Sequence, residues 1–154
     1  MKINYKLLII CILIPLAVGG LSALLTGSNM ELFDTLNKPP LSPPGWLFGV
    51  VWTILYVLMG VASYLVISSE GESVDLALKA YALQLFFNFF WSIWFFNLSL
   101  YTFSFVWLVF LWAAILATVI LFYRNSRTAA RLMLPYLLWV SFAGYLNLAI
   151  AILN

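Results

Sequence analysis

Histidine is missing from all 154 residues, and cysteine occurs once, at Cys11 inside the first apolar run. Without histidine there is no Ser-His-Asp or Cys-His arrangement, no ordinary proton shuttle near neutral pH, and none of the commonest metal and haem ligand. A lone cysteine closes no disulfide within the chain and builds no zinc cluster, so Cys11 reads as a small buried apolar side chain. Charge is also scarce: 8% of residues are charged and 66% are hydrophobic, against about 25% and about 45–50% in a soluble domain. That balance excludes a water-soluble globule. The net charge of +2, with no basic patch interleaved with aromatics in a solvated stretch, excludes a nucleic-acid partner.

What is present is a series of apolar segments, each near the roughly 20 residues that a helix needs to cross a hydrocarbon core. Five are expected, at about Lys6–Leu25, Trp46–Ile67, Lys79–Leu98, Phe103–Tyr123 and Leu132–Leu153. In lipid every backbone polar group must be satisfied within its own segment, which favours helices. The expected architecture is an all-α integral membrane bundle of five transmembrane helices, one domain over 1–154. The lysines and small residues of the first segment imitate a secretory leader, but the run from Leu7 to Leu25 is long enough to span. None of the spans carries Asp, Glu, Lys or Arg at its middle, so an ion-coupled pump loses its coupling group.

Basic residues fix the expected orientation. With five spans, Lys2, Lys6, Lys79, Arg124, Arg127 and Arg131 share one side and only Lys38 lies on the other. The positive-inside bias then puts the N-terminus in the cytoplasm and the C-terminus on the opposite side. The long connection from Thr26 to Gly45 contains Phe33, Asp34, Lys38 and four prolines among Pro39, Pro40, Pro43 and Pro44. Fixed φ and missing donors predict a stiff, extended, polyproline-like strap, either a cover for a binding site or a plain cap on the bundle.

Polar residues recur at helical spacing within the spans. Gln84, Asn88 and Ser92 form one stripe with Trp91 beside it, Trp139, Ala143 and Asn147 form another, and Trp52 and Tyr56 are one turn apart. Facing lipid, such amides would be unsatisfied, so the stripes should face one another. Two accounts remain open: interhelical hydrogen bonding alone, or the lining of a site. Seven tryptophans favour a site, because only some fit the interfacial belt, as Trp46 does after Pro44 and Gly45. Trp52, Trp91 and Trp139 lie deeper, where ring faces would stack on a flat, apolar, polycyclic ligand and an occasional amide would orient it. Val119, Tyr123 and Arg127 match a loose sterol pattern that many helix ends match. Gly45 and Gly49 have close-packing spacing at a position where a turn serves equally.

These residues resemble the TspO/MBR family of tryptophan-rich sensory and translocator proteins over essentially the whole chain. The resemblance rests on Pro43-Pro44-Gly45-Trp46 with Phe48, Trp52, Leu55 and Tyr56, on Gln84-Leu85 with Asn88, Trp91, Ser92 and Phe95-Phe96, and on Pro135-Tyr136-Leu137 with Trp139, Ala143, Leu146-Asn147 and Leu153-Asn154. It implies a cavity beneath the first long loop and affinity for porphyrins such as protoporphyrin IX, for sterols in some members, and for synthetic isoquinoline carboxamide and benzodiazepine ligands. Homodimers are common in the family. Carried over, the ligand-binding residues are Phe33, Pro44, Trp52, Tyr56, Asn88, Trp91, Ser92, Trp139, Ala143 and Asn147, with no metal site and no required cofactor. Some bacterial members degrade porphyrin in light, which makes Trp52 and Trp139 the candidate catalytic pair. The chain finishes without the basic residue of the animal members' cholesterol-recognition stretch, which counts against high-affinity sterol binding there.

The expected function is therefore a membrane receptor for porphyrins and other hydrophobic polycyclic molecules, in contact with membrane lipid. Light- and oxygen-dependent porphyrin degradation and passive transport are the alternatives. No general acid, base or nucleophile independently supports the enzymatic one.

Overall fold

The computed structural model describes residues 2–154, and the described residues contain helices and no strand. Five long helices are each apolar and long enough to cross a membrane. They are α1 (Tyr5–Thr26), α3 (Gly45–Ser68), α4 (Val74–Ser92, continued by a π turn Ile93–Asn97), α5 (Tyr101–Asn125) and α6 (Arg127–Leu153), while α2 (Met30–Asp34) is a short helix in the first connection. The chain is an integral, multi-pass membrane protein.

Each helix extends past its apolar run, since hydropathy marks the bilayer rather than the end of the hydrogen-bond ladder. α4 begins five residues before the expected start, and its first turns carry an exposed Asp75–Lys79 pair at 3.1 Å. The segment 124–131, expected to be a loop, is helical except for Ser126. That residue, extended at φ −156°, joins α5 to α6 and caps α6 by accepting from the Ala129 N–H at 3.2 Å.

Around the bundle the neighbours run α1, α3, α6, α5, α4 and back to α1. At the N-terminal end of α1 this ring is filled by Met59, Ala62, Val66, Ala77, Ile115, Phe122, Ala129 and Met133, all without exposed surface. α1 meets α3 very closely there. Pro15 has no N–H for the carbonyl of Cys11, and a side chain on Gly60 of α3 would run into the Ile12 backbone and sit 2.7 Å from that same oxygen. Glycine at 60 lets the two backbones touch.

The proline-rich connection departs from the expected extended strap. Its first half is helical, as a 3₁₀ turn at Gly27–Asn29 followed by α2, and its second half reverses at Leu41, where φ is +72°. Proline sets its own φ but leaves the ψ angles and the intervening residues free to turn. The connection is tied down at both ends. Asn29 donates to Asn97 at 2.6 Å, Asn37 exchanges two hydrogen bonds with the Asn154 amide at 3.1 and 2.9 Å, and Tyr145 donates to the Pro40 carbonyl at 2.9 Å.

Candidate ligand cavity

Beneath that connection the helices part and leave a cavity of about 520 Å³, within the roughly 300–1,000 Å³ usual for small-molecule sites. α1, α3, α4 and α6 supply its walls and α5 contributes nothing. Phe33 of α2 is 3% exposed and seals the loop side, its ring 5.6 Å from Phe48 and 5.9 Å from Phe96. Lys38 is engaged at this seal: its ammonium lies 4.7 Å from the Phe33 ring centre and 3.9 Å from the Asp34 carboxylate.

Nine of the ten residues expected to bind ligand line this cavity: Phe33, Trp52, Tyr56, Asn88, Trp91, Ser92, Trp139, Ala143 and Asn147. Pro44 does not. It is exposed at the residue before α3, extended at ψ 151°, where its carbonyl accepts from the Leu47 N–H at 3.0 Å. Its place in the sequence motif reflects the start of the helix. The tryptophans come from three helices and converge on one space. Trp52 stacks on Tyr56 (5.6 Å, 26°), Trp91 stacks on Phe95 (5.3 Å, 23°), and Trp139 sets its plane edge-on to Phe48 at 5.8 Å.

The floor, where Tyr56 and Asn88 line the cavity, rests on a continuous hydrogen-bonded chain. Tyr56 donates to Asn88 Oδ1 at 2.8 Å, Asn88 Nδ2 donates to the Tyr136 oxygen at 2.8 Å, and Tyr136 donates to Gln84 Oε1 at 2.6 Å. All four side chains are buried. The amide stripe of α4 thus faces inward as its spacing requires, and it binds α3 to α6. A second link higher up joins α4, α6 and α5: the Trp91 indole donates to Asn147 Oδ1 at 3.0 Å and Asn147 donates to the Tyr101 carbonyl at 2.8 Å. Ser22 donates to Ser92 at 2.9 Å and closes α1 onto α4. Both accounts of the polar residues hold at once: they fasten helices together, and the fastened faces enclose a space.

Against this pattern one donor stands out. Trp139 Nε1 is buried and has no partner, although its ring lines the cavity. No Asp, Glu, Lys or Arg lines the cavity, so among the described residues it offers aromatic faces, aliphatic side chains and neutral dipoles.

Two contributors were missed by sequence reasoning. Tyr136 is the keystone of the floor, and a tyrosine in an apolar helix gives no sign of which amide it will meet. The α1 wall, with Leu16, Gly19, Gly20 and Ala23, is marked only by small residues. Gly19 matters because any Cβ there would strike the Tyr56 ring.

A family model described as TspO/MBR family matches residues 11–153. The tryptophan-rich protein TspO of Chlorobaculum tepidum is 40% identical over 96% of this chain and 95% of its own length. The tryptophan-rich sensory protein of Cereibacter sphaeroides is 37% identical over 80% and 77%, and the human translocator protein is 37% identical over 79% and 73%. With a match over nearly the whole length and a five-span bundle that agrees with it, the chain belongs to the TspO/MBR family.

Proposed function

We propose that this protein is a membrane receptor for porphyrins, protoporphyrin IX among them, and for other flat hydrophobic molecules, with its N-terminus in the cytoplasm. The observation that carries this reading is the meeting of Trp52, Trp91 and Trp139 around one cavity whose polar groups are neutral. A macrocycle offers broad faces for indole stacking and few polar atoms, which suits walls that are mostly ring and a floor that is already hydrogen-bonded. With no histidine in the chain, a metal-free porphyrin held by stacking fits better than ligated haem. The sensory role in the name of the Cereibacter relative accords with binding as the primary event.

A second reading is favoured by one feature: Trp52 and Trp139, two oxidisable indoles, border the same space. In that reading the bound porphyrin is broken down in light with dioxygen as oxidant.

Purified protein titrated with protoporphyrin IX in detergent separates the two. Binding alone quenches tryptophan emission and leaves the porphyrin absorption band intact under illumination. Degradation bleaches the band, and Trp52→Phe or Trp139→Phe abolishes the bleaching. If neither quenching nor bleaching occurs at micromolar porphyrin, the tetrapyrrole assignment is wrong.

A further inference from the structure

We infer that the cavity exchanges its ligand directly with the bilayer, through a window between α1 and α3 whose width is set by Gly20 and Gly49. The inference rests on the ligand reading above, but the window itself is a property of the walls.

The cavity is covered by Phe33 on the loop side, while most of its exposed lining lies along α1 and α3, with Gly27 at their loop end. On the loop side Phe33 is packed among Phe48, Phe95 and Phe96, and the connection above it is tied to the π turn through Asn29 and Asn97 and to α6 through Tyr145 and Asn154. On the lateral side the lining residues are themselves exposed: Gly20 and Ala23 on α1, Gly49 and Thr53 on α3, with Trp46, 71% exposed, at the rim. A Cβ added at Gly20 or Gly49 would meet nothing within 4 Å. A few turns deeper, the same two helices are in backbone contact at Gly60 and Ile12. α1 and α3 therefore diverge toward the loop end, and the gap between them opens into the cavity.

The window faces hydrocarbon. Gly49 lies four residues inside α3 and Gly20 six residues inside α1, about 6 and 9 Å from the helix ends at roughly 1.5 Å per residue. With helices of 24 and 22 residues centred on a bilayer core of about 30 Å, both glycines fall inside its edge. Charge agrees with this route, because a ligand that dissolves in lipid arrives uncharged in its buried part and the lining presents no charged group to it. Thr53 does not obstruct it either, since its hydroxyl is turned back to the Gly49 carbonyl at 2.7 Å. The asymmetry of the small residues is thus functional: glycine at 60 brings the helices together, and glycine at 20 and 49 leaves the side wall incomplete.

The test uses full-length protein in phosphatidylcholine vesicles, with protoporphyrin IX dimethyl ester as an uncharged probe delivered through the lipid. Stopped-flow tryptophan quenching is compared for wild type, Gly20→Ala/Gly49→Ala and Gly20→Leu/Gly49→Leu. The leucine pair is expected to slow association by roughly tenfold and to slow dissociation with it, and the alanine pair to fall between. A Kd that weakens with no change in association rate would make these positions ordinary wall contacts and overturn the window. Asn154→Ala, which loosens the cover, is expected to leave association unchanged; faster association in that variant would place the route under the loop instead.

A second measurement does not depend on porphyrin. In vesicles of phosphatidylcholine brominated along the acyl chain, the emission lost on going from wild type to Trp52→Phe is assigned to Trp52. Bromine should quench this component in the wild-type background, and by less than half as much when Gly20 and Gly49 are both leucine. Equal quenching in the two backgrounds rules out the window whether or not the porphyrin binds. Failure of the ester to bind, with the bromine result intact, counts against the ligand reading alone.

Discussion

The two ends of the α1–α3 pair use the same residue type for opposite purposes. Near the N-terminus of α1, Gly60 faces Cys11 and Ile12, and a side chain there has no space. Near the loop, Gly20 and Gly49 face nothing. Small residues in a membrane bundle are usually read as packing seams, since lipid offers no hydrophobic penalty and close contact must supply the attraction. Here the seam and the opening lie on one helix pair, so a glycine's meaning depends on what stands opposite it. A dense lower half holds the helices at fixed angles, and that rigidity keeps the upper half apart around a cavity.

The strongest way to break this contrast is Gly60→Leu. The obstructing atoms are backbone and cannot rotate aside, so the loss should reach or exceed the upper part of the roughly 1–3 kcal/mol usual for overpacking. A large fall in the thermal midpoint in detergent, beside a change near zero for Gly49→Ala, would bear out the contrast. Equal effects at the two glycines would erase it. Gly19→Ala should fall between them, because its obstacle is the Tyr56 ring, which can turn away only by giving up its bond to Asn88. A loss of about 1–2 kcal/mol is expected, together with weaker porphyrin binding.

The five spans were legible because the length of an apolar run is fixed by the bilayer. Cavity walls on three helices were legible for a related reason: Gln84, Asn88 and Ser92, or Trp139 and Asn147, cannot face lipid without cost, and spacing of three to four residues tells which face they share. The fourth wall was not legible, because α1 contributes through the smallness of Gly19, Gly20 and Ala23, and smallness does not reveal whether a neighbour or a void lies opposite. Nor was the connection. Proline at 39, 40, 43 and 44 restricts φ, but the reversal at Leu41 is a choice of the residue between them. Pro44 was assigned to the ligand by its place in a motif, whereas its position before Gly45 serves the first turn of α3.

The polar floor sharpens the comparison from another side. Tyr136→Phe removes one hydroxyl and leaves Asn88 Nδ2 and Gln84 Oε1 each without a partner. Unpaired buried groups cost about 1–3 kcal/mol in water-soluble proteins, but interhelical bonds in membranes average nearer 0.6. A loss of about 1 kcal/mol is expected, read as a lower thermal midpoint. Trp139→Phe should leave stability nearly unchanged, because its indole N–H has no partner to lose, while porphyrin affinity falls. Opposite results in this pair, with stability lost at Trp139 and binding lost at Tyr136, would exchange the roles of floor and wall.

The smallest effect belongs to the cover. Asn154→Ala removes two hydrogen bonds to Asn37, both at exposed positions where water competes for the same groups. The connection keeps its Phe33 anchor and the Tyr145 and Asn29 ties, so the global midpoint should not move. What should change is local opening. The amides of Thr35 and Leu36, bonded to Leu32 and Phe33, should exchange with deuterium about two- to fivefold faster, the equivalent of roughly 0.5–1 kcal/mol of local stability. Amides around Gly60 should exchange at the wild-type rate. If loosening the cover also speeds exchange there, the two halves unfold as one unit and the dense half does not support the open one independently.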